Sequence, residues 1–209
     1  MKSQEKAEIM NLLASNTCKL YRMVGFDELK KTHNLSGGVN KAAVVVLYTI
    51  GRDAPEILFV VRKVSENDKW SGQVAFPGGK WEPIDRDLID TARRELLEET
   101  GINLDIDVEV VTLLRETSPS NMPELKVIPF LARVSSKPSI KLSEELSAYF
   151  WASVKELERV QALIVLPDSS RKSVLAFRKD EWIIWGMTAR ILEDALLKIT
   201  GYGNSSKFF

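Results

Sequence analysis

Apolar and polar positions alternate with three different rhythms along this chain. Ala42–Thr49 (AAVVVLYT) is an unbroken, β-branched apolar run, which predicts a central strand buried on both faces. Ile57–Val61 (ILFVV) predicts a second, with Gly51–Pro55 as the turn between them. Val108–Thr117 alternates imperfectly and reads as a strand, as does Leu125–Val134. Pro129 inside that last run argues for an edge or a bulge. Helical spacing appears at residues 1–16, at Phe26–Lys31, at Val154–Val160 and, at length, over Trp185–Ile199 with Ala189, Leu192, Ala195, Leu196 and Ile199 inward. Leu146–Trp151 is another strand candidate, and Val174–Phe177 with Trp182–Ile184 predicts a hairpin about Arg178–Glu181. Strands and helices are interspersed without strict alternation, so a mixed sheet between helices fits better than a doubly wound one.

One segment carries candidate chemistry, Phe76–Ile102. Its second half reads as a helix. Asp85 and Asp87 are candidate N-caps, Leu88, Ile89, Ala92 and Leu96 form an apolar stripe, and Gly101 stands where a left-handed C-terminal residue is wanted. Glu95, Glu98 and Glu99 then share a face. Three carboxylates in one turn repel one another by roughly 0.2–0.5 kcal/mol per pair, and they sit where the helix dipole disfavours negative charge. Arg94 offsets part of this by reaching Glu98 at i+4. A multivalent cation offsets more, and hard oxygen ligands on one rigid face suit Mg²⁺ or Mn²⁺. Pro77-Gly78-Gly79 is a turn that lets backbone approach the same ion, with the Gly79 carbonyl as a candidate ligand. The competing reading is a solvated acidic helix end.

Composition narrows the setting. The chain has 209 residues, with Lys+Arg and Asp+Glu equal at 29 each, which leaves no global basic field for long nucleic acid. The single cysteine, Cys18, forms no internal disulfide and points to a reducing compartment. No apolar run reaches the ~18 residues of a membrane span, and residues 1–16 lack a continuous apolar segment, so no signal peptide and a cytoplasmic location are expected. Domain organisation is read as an N-terminal helical extension over 1–38 and one catalytic domain over 39–209. His33, the single histidine, has no Cys or His companion and reads as a surface residue.

Arg94-Glu95-Leu96-x-Glu98-Glu99-x-Gly101-Ile102 resembles the C-terminal half of the signature of the Nudix hydrolases. That signature continues upstream with a glutamate separated from the Arg-Glu pair by seven residues, and before it a glycine with five residues between. Here those counts land on Arg86 and Lys80. One extra residue restores the pattern as Gly79, Asp85 and Arg94, an insertion also seen in the branch resembling coenzyme A pyrophosphatases. Gly72-x-x-x-Phe76-Pro77-Gly78-Gly79 and Trp185–Leu192 resemble that branch as well, although Asp68 stands where it typically carries an arginine. The resemblance implies a Nudix-type α/β/α sandwich with a mixed β-sheet and a loop–helix–loop motif. It implies metal-dependent cleavage of a pyrophosphate in a small nucleotide substrate, with Glu95, Glu98 and Glu99 as metal ligands and Arg94 orienting Glu98. Glu145 stands where related enzymes place an additional acid, with Glu144 as runner-up. The catalytic set is therefore Glu98, Arg94 and Glu145.

Substrate-binding candidates are Arg62, Lys63, Trp70 and Phe76. The two cations can meet a phosphate or stay solvated, and Trp70, like Trp81, can stack on a ring or plug the core. Coenzyme A or an acyl-CoA leads the expected substrates, ahead of ADP-ribose or a dinucleotide. A non-catalytic binding module is the rival class, but such proteins usually lose glutamates that this chain keeps. Oligomeric state is open, with a homodimer among the options.

Overall fold

The computed structural model describes residues 26–65, 70–108, 110–166 and 170–200. The expected helix at 1–16, Cys18, Asp68 and the closing Gly201 lie outside them. In chain order the elements are α1 (Phe26–Thr32), β1 (Lys41–Ile50), β2 (Pro55–Arg62), β3 (Val74–Ala75), β4 (Gly78–Lys80), α2 (Leu88–Thr100), β5 (Val110–Leu113), β6 (Lys126–Val134), β7 (Leu146–Ser153), a 3-10 turn (Val154–Glu156), β8 (Glu158–Val165), β9 (Arg171–Lys179), β10 (Trp182–Ile184) and α3 (Gly186–Thr200).

β1 is the centre, as its composition predicts. Ala42, Val44 and Val46 point into one apolar cluster, and Ala43, Val45 and Leu47 into another on the opposite face. The first cluster is closed by α3 through Ala189, Ile191, Leu192, Ala195 and Ile199. The second is closed by α2 through Leu88, Ile89, Ala92 and Leu96, with Leu29 of α1 and Leu35 beside them. Full burial of Leu88, Ile89 and Leu96 contributes on the order of 1.5–3 kcal/mol each. The result is an α/β/α sandwich around a mixed sheet, because β1 and β6 run parallel over nine register pairs while the other pairings are antiparallel.

The sheet is splayed at one place, and the splay positions the site. β1 and β2 pair only near their turn, from Tyr48↔Ile57 to Ile50↔Pro55. Beyond it, β2 pairs with β3 and β1 pairs with β4. The Phe76–Gly79 turn is thereby wedged into the sheet directly against α2.

Three expectations need correction. Pro129 is not at an edge: β6 lies between β1 and β5. The bulge alternative holds: Leu114 N–H donates to the Pro129 carbonyl, pairing resumes at Thr117↔Val127, and the two residues 115 and 116 stand opposite Ile128 alone, so the missing N–H falls where the ladder is interrupted. Val154–Val160 is not a helix. One 3-10 turn, closed by a Ser153–Glu156 capping box, leads into β8, whose eight pairs with β9 override the local three-residue spacing of Val154, Leu157 and Val160. The Val108–Thr117 run yields only the short β5. The expected hairpin is present as β9–β10, within a separate three-stranded sheet β10-β9-β8.

Candidate active site

Helix α2 starts where Asp87 accepts from the amides of Ile89 at 2.9 Å and Asp90 at 3.1 Å, and it ends at Gly101 in the left-handed region, φ 74°. Of the two N-cap candidates Asp87 is therefore the cap. The loop ahead of β7 caps the other end: Lys141 N–H donates to the Thr100 carbonyl and Ser143 N–H to that of Glu99.

The three glutamates differ sharply in environment. Glu99 is buried, Glu95 is partly buried, and the Glu98 side chain is 59% exposed. Glu99 Oε2 accepts the Gly78 amide at 2.9 Å. Its carboxyl is pushed up to about 7, chiefly by burial, which the Gly78 hydrogen bond and the charge of Arg62 only partly oppose. Burial also raises Glu95 against the pull of Arg94. The charge of Glu145 raises both, which places Glu145 close to the pair. Its backbone carbonyl is tied to the end of β2 by Lys63 N–H at 2.8 Å.

Close approach of strand to helix depends on the glycine pair. A Cβ at Gly78 would run into the Ala43 carbonyl, and one at Gly79 into the Glu95 carboxylate. The ladder also fixes which carbonyl faces the helix. Val45 N–H donates to Pro77 and Trp81 N–H to Lys41, so Ala43 and Gly79 between them form the bonded pair of the same alternation. The Gly79 carbonyl therefore turns into the sheet, away from the glutamates, contrary to its expected role as a ligand. By the same alternation the carbonyls of Gly78 and Lys80 face away from β1; that of Lys80 accepts from Arg94 at 3.0 Å.

Arg94 organises the face. Its Nε and Nη2 form a fork on Asp85, at 3.0 Å each, and Nη1 reaches Glu95 at 2.8 Å and Glu98 at 3.1 Å. Burial alone would raise Asp85, but hydrogen bonds from Arg94, the Glu82 amide and Thr91 outweigh it and hold the carboxyl below its usual range.

The remaining candidates divide. Arg62 follows Leu58 and Val60 on the same strand to the α2 face, and its charge acts on Glu99. Lys63 is exposed. Phe76 is a core residue, 4% exposed and stacked on Phe59 with ring centroids 5.1 Å apart, so it does not line a substrate surface. Trp70 packs, partly buried, against the cluster beneath α3, and Trp81 packs against the other cluster with Nε1 donating to the Asp85 carbonyl. Both take the plug reading. His33 is exposed.

Glu99 supplies the fit test for a metal. A carboxylate this buried has one amide donor and a raised pKa that the charge of Arg62 only partly offsets, and its two neighbours on the helix are hard oxygen donors. This donor set fits a divalent cation. Among the described residues no three acidic, histidine or cysteine side chains are already gathered to hold one, since Arg94 engages Glu95 and Glu98.

The profile of the NUDIX domain matches residues 39–176. The chain belongs to the Nudix hydrolase family. Two proteins described as uncharacterized Nudix hydrolase NudL, from Yersinia pestis and Yersinia pseudotuberculosis, are each 32% identical to this Nudix hydrolase over 169 residues, covering 78% of this chain and 82% of theirs. The crystal structure of a MutT/nudix family protein from Enterococcus faecalis matches with a TM-score of 0.51, covering 88% of this chain and 71% of that one at 16% identity, a likeness of fold. Helix α3 lies beyond the matched stretch yet closes the first cluster. As a Nudix hydrolase the chain is a pyrophosphohydrolase.

Proposed function

We propose that this Nudix hydrolase cleaves the pyrophosphate of a nucleoside diphosphate derivative, coenzyme A or an acyl-CoA, giving 3′,5′-ADP and a 4′-phosphopantetheine product. The observation that carries the hydrolytic reading is the Arg94-ordered set of Glu95 and Glu98 beside the buried Glu99, whose carboxyl burial pushes up. The coenzyme A assignment is supported by the resemblance of Gly72–Gly79 and Trp185–Leu192 to that branch.

Glu95, Glu98 and Glu99 would hold Mg²⁺ or Mn²⁺. The chemistry a divalent ion supplies there is activation of water at neutral pH and neutralisation of the charge developing on the pyrophosphate. Glu145, on the loop beside Glu95 and Glu99, accepts the proton of the attacking water. Arg94 keeps the Glu95 and Glu98 carboxylates oriented. Arg62 and Lys63, at the end of β2 next to that loop, meet the phosphates.

A panel of coenzyme A, acyl-CoA, ADP-ribose and a dinucleotide, incubated with Mg²⁺ or Mn²⁺ and resolved by product mass, tests the assignment. Formation of 3′,5′-ADP supports it. Rapid ADP-ribose or dinucleotide cleavage without that product selects another nucleoside diphosphate derivative. Binding of panel members with no cleavage selects the non-catalytic module.

A further inference from the structure

Thr91 is wholly buried in the body of α2, an unusual place for a hydroxyl. Threonine in a helix commonly donates back to its own turn, and here the Asp87 carbonyl is available at 3.3 Å. The shorter contact runs elsewhere: Thr91 Oγ1 donates to Asp85 Oδ2 at 2.9 Å. The same oxygen accepts the Glu82 amide at 3.0 Å and Arg94 Nη2 at 3.0 Å, while Oδ1 accepts Arg94 Nε at 3.0 Å.

The rotation of the Asp85 carboxylate decides where the Arg94 fork points. A guanidinium is rigid and planar, so once Nε and Nη2 are engaged on Asp85, the direction of Nη1 is fixed. Nη1 is the atom that holds Glu95 and Glu98. Asp85 is also a short acid placed after an extra residue, and the loop that carries it closes on itself through the Asp85 amide to the Glu82 carbonyl. Among the described residues, Thr91 supplies the side-chain donor that reaches Asp85 from the helix's buried side.

We infer that Thr91 is a positioning residue: through Asp85 and Arg94 it sets the orientation of the Glu95 and Glu98 carboxylates. The inference rests on the reading of those two glutamates as metal ligands, but its mechanical half stands apart from it. Outer partners of this kind are worth about 10- to 100-fold in metal affinity or activity.

The test is Thr91→Val, which keeps the shape and removes the donor, with Thr91→Ser as the conservative rescue. In metal-free protein, solvent exchange of the Arg94 Nε–H is read by nitrogen-15 NMR. It should quicken in Thr91→Val and return in Thr91→Ser. Mn²⁺ dissociation constants, from the resonance of free Mn²⁺, should rise about 10- to 100-fold in Thr91→Val and recover in Thr91→Ser. If Thr91→Val does not fold, Thr91→Cys, with its weak donor, is measured in its place. A folded variant with unchanged Nε–H exchange and unchanged Mn²⁺ affinity overturns the inference and leaves Thr91 as packing. Wild-type protein that binds no Mn²⁺, while Nε–H exchange responds as stated, overturns the metal reading and leaves Thr91 as the orienter of Arg94.

Discussion

Gly78 N–H and Glu99 Oε2 meet at 2.9 Å across 21 residues of chain, joining the wedge of the sheet to the last turn of α2. That single amide is the donor found for a carboxylate that burial holds near 7. An acid with a folded-state pKa above its unfolded value loses stability as pH rises between the two, because the folded state holds the proton longer. Metal-free protein should therefore lose on the order of 3 kcal/mol from this group between about pH 4.5 and 7. Urea unfolding of wild type against Glu99→Gln, both in chelator, isolates it. The stability difference should move in favour of the glutamine variant on going from pH 5 to pH 8, and a difference that does not change with pH contradicts the assignment.

The two glycines of the turn should fail in different ways. Gly78 has φ 147° and lies against the Ala43 carbonyl, so Gly78→Ala should destabilise the fold by about 2 kcal/mol or more. Gly79 meets a side chain instead, the Glu95 carboxylate, which can swing aside. Gly79→Ala should keep most of the thermal stability and lose most of the metal-dependent turnover. Thermal melts beside initial rates separate the two.

Glu145 and Glu144 are adjacent, and the charge of Glu145 acts on both Glu95 and Glu99. Glu145→Gln should lower kcat by about 10²- to 10⁴-fold, the usual scale of a general base, and remove the acid limb of the pH–rate profile. Glu144→Gln should leave both nearly unchanged. The reverse pattern would exchange their roles.

Phe76 belongs to the core and not to a substrate surface. Its ring stacks on Phe59, which in turn stacks on Phe150 at 5.3 Å. Phe76→Ala should cost about 3–5 kcal/mol in unfolding free energy, and KM of the folded fraction should stay at the wild-type value.

Much of this architecture is legible without coordinates because its signals are local. β1 announces itself by an apolar run with no polar face, and α2 by its cap, stripe and closing glycine. The glutamate face follows from helical spacing alone. What escapes is decided by distant partners. β8 becomes a strand because β9 lies beside it. The Gly79 carbonyl is turned away by the alternation of its ladder with Ala42–Val44 of β1, far off in sequence. Asp85 is found by counting with an inserted residue, but its buried fork with Arg94, and Thr91 behind it, leave no trace in residue type or spacing.

The most direct measurement is the initial rate of pyrophosphate cleavage for wild type and Glu99→Gln, each with Mg²⁺ and with excess chelator. The account predicts turnover for wild type with Mg²⁺ alone, and its loss in the other three conditions while circular dichroism stays native. Undiminished wild-type turnover in excess chelator, or a Glu99→Gln variant as active as wild type, would contradict it.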